Sequence, residues 1–381
     1  MKSDAGKIIV EKTGMALLPN ISASKIKWLL DYDLEIKNGV MKNELIYGTI
    51  DTWLLWKLSG GKVHISDYSN TSVTTLLNAT SLEYEKIVLN MLNIPIGILP
   101  ELRNSSEIYG YTDSEIFGAS VPIAGIAGDQ QAAVLGQACI KEGMAKNTYG
   151  TGSFMIINTG NNHVRPGEGV FSPILWKIKK DVCYGLEGMS DISGASMQWL
   201  RKEIGINKNN AEFENMAKSL QNNGGVYFIP AFVGLGSPYF DSYARGSITG
   251  LNSLTTKEHV VRAALESMAF QVKDSLDIME TVWGKKIKVL RVDGGGADND
   301  FLMQFQADIL GIPVERPVNI ETSCMGAVYL AGLAVGIWGS KEELAESWSL
   351  DKRFEPQISM DERLELCHGW RKALKKSLNW L

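Results

Sequence analysis

The sequence reads as an α/β protein whose sheets are covered by helices on both faces, on three grounds. Short apolar runs of strand character alternate with stretches whose apolar residues follow helical spacing. Glycine-rich turns separate the two kinds of segment. The composition, 45% hydrophobic and 21% charged residues, is that of an ordinary folded chain. At 381 residues the chain has the length for two or three domains and a substantial core. Glycine, with 38 residues, is the one excess, and it marks tight turns or places where backbone lies close to a ligand.

In chain order, the first well-marked unit covers residues 121–137. Residues 121–127 are an apolar strand, and Gly128 turns it into a helix of small residues, so that Asp129 stands at the strand's carboxyl end. Residues 147–160 predict a β-hairpin: Thr148 and Tyr149 on one arm, residues 154–157 on the other, and Gly150-Thr151-Gly152-Ser153 at the tip. A long helix follows over 255–282, with a capping box of Thr255 and Glu258, and its apolar positions Val261, Ala264, Leu265, Met268, Val272, Leu276 and Met279 mark a core face. Residues 289–292 form a strand, 293–296 a glycine loop, and 300–310 a helix ended by Gly311 and Pro313. The tail after Ser340 alternates charged and apolar residues in a helical manner and is expected to pack on the outside.

Charge and cysteine usage narrow the function classes. With 38 basic against 43 acidic side chains the net charge is −5, so no bulk positive field exists to hold a nucleic acid. The four cysteines Cys139, Cys183, Cys324 and Cys367 are scattered, without a CxxC pair or a zinc-spaced histidine set, and read as reduced thiols. The start over 1–12 is charged where a signal peptide is apolar, and the longest run of low polarity, 326–339, is too short for a bilayer. A cytoplasmic protein without membrane insertion is expected.

Ligands of α/β sheets gather at the carboxyl ends of strands, where loop amides and helix N-termini point together. The loops 150–153 and 293–296 both have the glycine content to admit phosphate oxygens to the backbone, although glycine turns also serve simply as turns in such folds. Neither GxxxxGK[ST] nor a complete GxGxxG is present, which disfavours P-loop and Rossmann nucleotide sites. Asp129 has the placement of a general base, with a helix N-cap as the competing reading. His64, His163, His259 and His368 have no serine or cysteine partner and give no hydrolase triad. The ring- and proline-rich stretch 227–241 is either a pocket wall or packing beneath a loop.

Several motifs in one order carry a resemblance. They are Tyr47-Gly48-Thr49-Ile50-Asp51-Thr52-Trp53, Gly125-Ile126-Ala127-Gly128-Asp129-Gln130-Gln131-Ala132-Ala133 and Lys146-Asn147-Thr148-Tyr149-Gly150-Thr151-Gly152-Ser153-Phe154-Met155, continued by 230–241, Ala244-Arg245-Gly246, 246–266 and 291–306. From about Gly14 onward the chain resembles the FGGY family of carbohydrate kinases, toward its branch acting on glycerol. The resemblance implies an actin-like ATPase fold of the ribonuclease-H type: a partial first lobe over 1–137, a nucleotide-binding lobe over 138–340 and a helical segment over 341–381. It implies ATP and Mg²⁺ as cofactors and phosphorylation of a small polyol, glycerol foremost, or of another sugar or polyol. Asp129 resembles the base that takes the hydroxyl proton, Gln130 and Phe154 its neighbours at the polyol, Thr151 the γ-phosphate contact, and Gly194, Gln198, Gly295, Gly296 and Asn299 residues around the nucleotide.

Departures from the family pattern go with the resemblance. Asn20 stands at the place of a polyol-contacting tyrosine, and Ser120 where some bacterial members carry an arginine for a sugar-bisphosphate inhibitor. The family's opening phosphate hairpin and its arginine-glutamate pair have no counterpart, so the first lobe is expected to be incomplete. A catalytically inactive fragment or pseudoenzyme that binds nucleotide or pairs with a partner therefore stands beside the kinase reading. Whether copies of the chain associate into a homo-oligomer is open on the sequence.

Overall fold

The computed structural model describes residues 4–381, so the first three residues of the charged start lie outside the described part. Its centre is a seven-stranded mixed sheet. Three parallel strands, Ala145–Tyr149, Leu290–Asp293 and Val314–Pro317, lie side by side. Ala145–Tyr149 turns antiparallel into Ser153–Gly160, beyond which lie Asp181–Ser190 and Ile174–Ile178. At the other edge Leu350–Phe354 runs antiparallel to Val314–Pro317.

The two-residue period of a strand sends neighbouring side chains to opposite faces, and both faces here are apolar. Met155 and Ile157 enter the main core with Leu265, Met268, Leu302 and Trp370, whereas Ile156 enters a second core with Val134, Leu175 and Trp176. The helices Gly194–Lys202, Lys257–Trp283, Asp300–Leu310 and Met360–Leu374 cover the first face; Asp129–Gly136 covers the second. The expected two-sided covering is thus present.

Helix Lys257–Trp283 buries every apolar position assigned to its core face. Its start differs from the expected one by a residue. Thr256 and His259 form the capping box, because the Thr255 hydroxyl is used one turn earlier, accepting from the Asn252 amide at 2.9 Å. The tail also differs. It holds the edge strand Leu350–Phe354, and Trp370 is 1% exposed, stacked on Phe270 with ring centroids 5.0 Å apart. The physical reason is that a large indole at a helical position outweighs its charged neighbours once a partner ring and an acceptor for its N–H, Asp274 Oδ2 at 2.7 Å, are available. The stretch 227–241 packs rather than lining a pocket: Phe228, Ile229, Ala231 and Leu235 are core, and Trp199 meets the rings of Phe228 and Phe232.

The first lobe has a separate core of Ala23, Ile26, Leu30, Leu76, Val88, Leu89 and Leu92. Its strands form two-stranded pairs: Ile65–Asp67 parallel to Glu101–Arg103, and Ser106–Tyr111 antiparallel to Pro122–Gly125. Trp28, Tyr32, Leu34, Ile50 and Trp53 on its helices are exposed. Cys139, Cys183 and Cys367 are buried free thiols, and Cys324 is an exposed one. No described helix is long and apolar enough to cross a membrane.

Helix Asp129–Gly136 also packs on Thr322–Val335, with Leu135 against Tyr329 and Leu330, and at its tightest points this contact is made of backbone. A Cβ on Gly136 would stand 1.9 Å from the Thr322 carbonyl oxygen, and one on Gly326 would stand 1.9 Å from that of Ala132. Backbone cannot yield as a flexible side chain does, so overpacking here separates the helices. Gly326→Ala is expected to lower stability by about 1–3 kcal/mol in urea denaturation with an unchanged m-value.

Candidate active site

The hairpin 145–160 pairs Tyr149 with Ser153, leaving Gly150, Thr151 and Gly152 as its tip. The tip is pinned to the start of helix Gly194–Lys202. The amides of Ser193 and Ala195 donate to the Thr151 carbonyl at 2.8 and 3.1 Å, and that of Gly194 donates to the Gly150 carbonyl at 3.0 Å. Close approach explains the glycine at 152, where a Cβ would meet the Ser190 carbonyl at 2.4 Å. On the opposite side Gly294 has φ +80° and sits against the backbone of Tyr149, its Cβ position 2.6 Å from the carbonyl oxygen. A short 3-10 turn, Gly295–Asp298, then leads to helix Asp300–Leu310.

Between these elements lies a cavity of about 510 Å³. Thr151, Gly194, Gln198, Gly295, Gly296 and Asn299 all line it, so six residues from three separate sequence regions converge on one hollow. Met197, Phe213, Leu265, Met268 and Leu302 give it an apolar wall, and Arg201, Asn210 and Glu214 add polar groups that sequence reading did not single out. An apolar pocket with a few convergent polar groups has the character of a small-molecule site. Asn299 also caps helix Asp300–Leu310, its Oδ1 accepting from the Leu302 amide at 2.9 Å. Gly295 is different from its neighbours: a Cβ there meets no protein atom within 4 Å, so the turn itself does not require glycine at that position.

Asp129 is the first residue of its helix, and the N-cap is Gly128. The cap reading of the carboxylate therefore fails. Its Oδ1 accepts from the Gln130 backbone amide at 2.9 Å and its Oδ2 from the Gln130 side-chain amide at 3.3 Å, and the residue is exposed to solvent. The turn that presents it is anchored from beneath: the Gly128 amide donates to the Ser69 hydroxyl at 3.0 Å, and that hydroxyl donates to the buried Asp67 carboxylate at 2.7 Å. Burial holds the Asp67 carboxyl above the usual range, opposed by hydrogen bonds from Ser105, Asn70 and Ser69.

Lys146, fully buried in strand Ala145–Tyr149, gathers the rest. Its ammonium donates to the Gln130 side-chain oxygen, to the Thr148 hydroxyl at 2.8 Å and to the Phe154 carbonyl at 3.5 Å. Asp129, Gln130 and Phe154 are thereby brought together at the strands next to the hairpin tip. Asn20 is not among them; it is exposed in the turn ahead of helix Ser22–Tyr32. Asp293, at the end of its strand, has a structural use, accepting from Gln137 Nε2 and from the Thr322 hydroxyl, each at 2.8 Å.

The profile of the FGGY family of carbohydrate kinases matches the chain twice, its N-terminal domain over 2–136 and its C-terminal domain over 145–335. The chain belongs to this family. It is 51% identical to glycerol kinase 2 of Thermotoga maritima over 374 residues, which are 98% of this chain and 75% of the relative. It is 52% identical to the glycerol kinase of Petrotoga mobilis over 373 residues, with the same coverage of 98% and 75%. Among solved structures, Plasmodium falciparum glycerol kinase with ADP superposes with a TM-score of 0.91 at 35% identity, covering 99% of this chain and 75% of that one.

This FGGY kinase accordingly has the actin-like ATPase fold and is a phosphotransferase acting on an alcohol. Around its carboxylate the charges are close-set. Lys146 and Glu187 lie in one cross-strand row through Ile156, so both face helix Asp129–Gly136. Burial pulls the Lys146 ammonium down from its ordinary value, against the carboxylates of Asp293, Glu187 and Asp129. Burial pushes Glu187 up to about 7, with Lys146 opposing and Asp129 adding. Neither residue was given a role from the sequence; the available signal was a lysine and a glutamate at inward positions of otherwise apolar strands.

The raised Glu187 carries a sign. The native chain keeps this proton to about pH 7, whereas an unfolded glutamate releases it near its ordinary value of 4.5, so between the two the folded state binds more protons and loses stability as pH rises. Glu187→Gln is expected to reduce that fall by this group's share, the raised Asp274 keeping its own, and denaturation midpoints of the two proteins compared between pH 4.5 and 7 measure it.

Proposed function

We propose that this FGGY kinase transfers the γ-phosphoryl group of ATP to glycerol as a cytoplasmic enzyme. The observation that carries the reading is the two-sided use of one hairpin. Its tip, with Thr151, opens onto the cavity lined by Gly194, Gln198, Gly295, Gly296 and Asn299; its strands, with Phe154 and Lys146, face Asp129 and Gln130. A nucleotide in the cavity thus points its phosphates past Thr151 toward the carboxylate, and the glycerol kinases of two bacteria share half of this sequence.

In this reading the adenosine lies against the apolar wall and the 295–296 turn. Glycerol lies beside Phe154, with a hydroxyl turned to Asp129. The Asp129 carboxylate accepts the hydroxyl proton as the oxygen bonds to the γ-phosphorus, and the bond to the departing ADP breaks in line. Transfer of this kind gains little from covalent chemistry and depends on placement and on neutralising phosphate charge. Mg²⁺ fits as an ion carried on the nucleotide's phosphates, since it keeps several of its waters and, among the described residues, no cluster of side chains stands ready to hold it alone. When bound it supplies charge neutralisation.

A second reading, nucleotide binding without turnover, is favoured by the openness of the first lobe, where Trp28, Tyr32, Leu34, Ile50 and Trp53 are exposed and Asp129 faces solvent. Phosphorus NMR of the chain with Mg·ATP and glycerol separates the two. Appearance of glycerol phosphate is expected, and its absence beside measurable nucleotide binding overturns the kinase reading in favour of the second.

Two substitutions test the parts. Asp129→Asn is expected to lower kcat by at least about a hundredfold while leaving nucleotide affinity unchanged, because a base acts only in the transfer step. Gly295→Val is expected to keep nearly the wild-type denaturation curve, since a Cβ there meets no protein atom within 4 Å, and to weaken ADP binding measured by calorimetry. Wild-type affinity in that variant would remove the 295–296 turn from the nucleotide site.

A further inference from the structure

We infer that Lys146 is a positioning residue for Asp129, acting through the Gln130 side chain. The inference rests on the proposed role of Asp129 as the accepting base and adds to it the device that fixes the carboxylate's orientation.

The chemistry of the donor decides the arrangement. Lys146 has three neighbours within reach, the Gln130 side-chain oxygen, the Thr148 hydroxyl and the Phe154 carbonyl, and each is used as an acceptor. Three acceptors match the three protons of an ammonium and leave it no free donor. A carboxamide has one accepting and one donating end. Because an ammonium only donates, it must take the oxygen of Gln130, which turns the amide nitrogen the other way. That nitrogen lies 3.3 Å from Asp129 Oδ2, while the Gln130 backbone amide donates to Asp129 Oδ1 at 2.9 Å. Both carboxylate oxygens are thus engaged by one residue, and the side-chain half of that grip is set by the buried lysine.

The lysine is itself held. It is 0% exposed, its strand is paired on both sides, and Glu187 faces the same helix from two strands away. A buried ammonium is costly unless acceptors and opposite charges surround it. Asp293 and Asp129 supply the charges, joined by Glu187 once it ionises. A solvent-exposed carboxylate on the first turn of a helix would otherwise rotate freely, so a fixed amide confers direction on it.

The test uses the full chain with selectively ¹⁵N-labelled glutamine. In the wild type the Gln130 side-chain amide protons are expected to exchange with water more slowly than those of free glutamine; exchange at the free rate overturns the proposal, whatever the acceptor substrate is. Lys146→Met, of similar volume, is expected to speed that exchange about fivefold or more, the equivalent of one lost hydrogen bond. It is also expected to lower kcat ten- to a hundredfold with the KM values for ATP and glycerol unchanged, since misdirection of a reacting group affects transfer and not binding. Gln130→Leu should give the same loss, and the double variant no further loss, because the two residues act in series. Losses that multiply in the double variant, or an unchanged Gln130 amide in Lys146→Met, overturn it. If glycerol is not phosphorylated at all, the kinase reading fails separately and the amide exchange alone decides this one.

Discussion

The contact between helices Asp129–Gly136 and Thr322–Val335 is the constraint on which the site depends. Helices ordinarily meet through side chains at 8–10 Å between axes. Here Gly136 and Gly326 leave no room for a Cβ, and the main chains themselves touch. The same junction is tied by Asp293, which accepts from Gln137 just past the first helix and from Thr322 at the start of the second. One buried carboxylate therefore fixes the end of a central strand, and with it the beginning of the glycine loop, to the helix that carries Asp129. The cavity beside the hairpin tip and the Asp129 carboxylate are held in register by a knot that lines neither.

The same junction relates a carboxylate on a helix start to the tip of a hairpin, the two places where the proposed function puts the base and the phosphate contact. A helix start leaves unpaired amides, and here that of Gln130 donates to the Asp129 carboxylate. The hairpin is narrow and paired on both arms, so its tip reaches into the cavity while its strands stay in the sheet. Distance between the two functions is then a matter of strand register, which cannot slip by one residue without turning Lys146 and Phe154 to the opposite face.

Much of this was legible in the sequence, and for identifiable reasons. The hairpin, the long helix and the loop 293–296 are local features, written in glycine spacing and apolar period, and the structure has them nearly where that pattern puts them. The edge strand Leu350–Phe354 was not, because an edge strand of alternating charge has no apolar run to announce it, and its identity comes from pairing with Val314–Pro317 far away in the chain. Lys146 was visible as a letter but not as a group, since a lysine in a short strand is exposed far more often than buried. Its role depends on Gln130 and Phe154 arriving from other elements. Asn20 shows the converse: a position matched by motif alone that the fold leaves in an exposed turn.

Glycine makes the same point more sharply. Gly294 and Gly295 are adjacent and chemically identical, and the sequence offers no way to rank them. Gly294 has a positive φ and backbone 2.6 Å from its Cβ position, so the fold alone accounts for it. Gly295 has neither, and any residue would satisfy the turn. Packing within the protein gives no account of this glycine, and the one feature it shares with its neighbours is the cavity that it lines. The same reasoning separates Gly326, which the helix contact requires, from Gly295, which lines the cavity and whose absent side chain leaves that volume open.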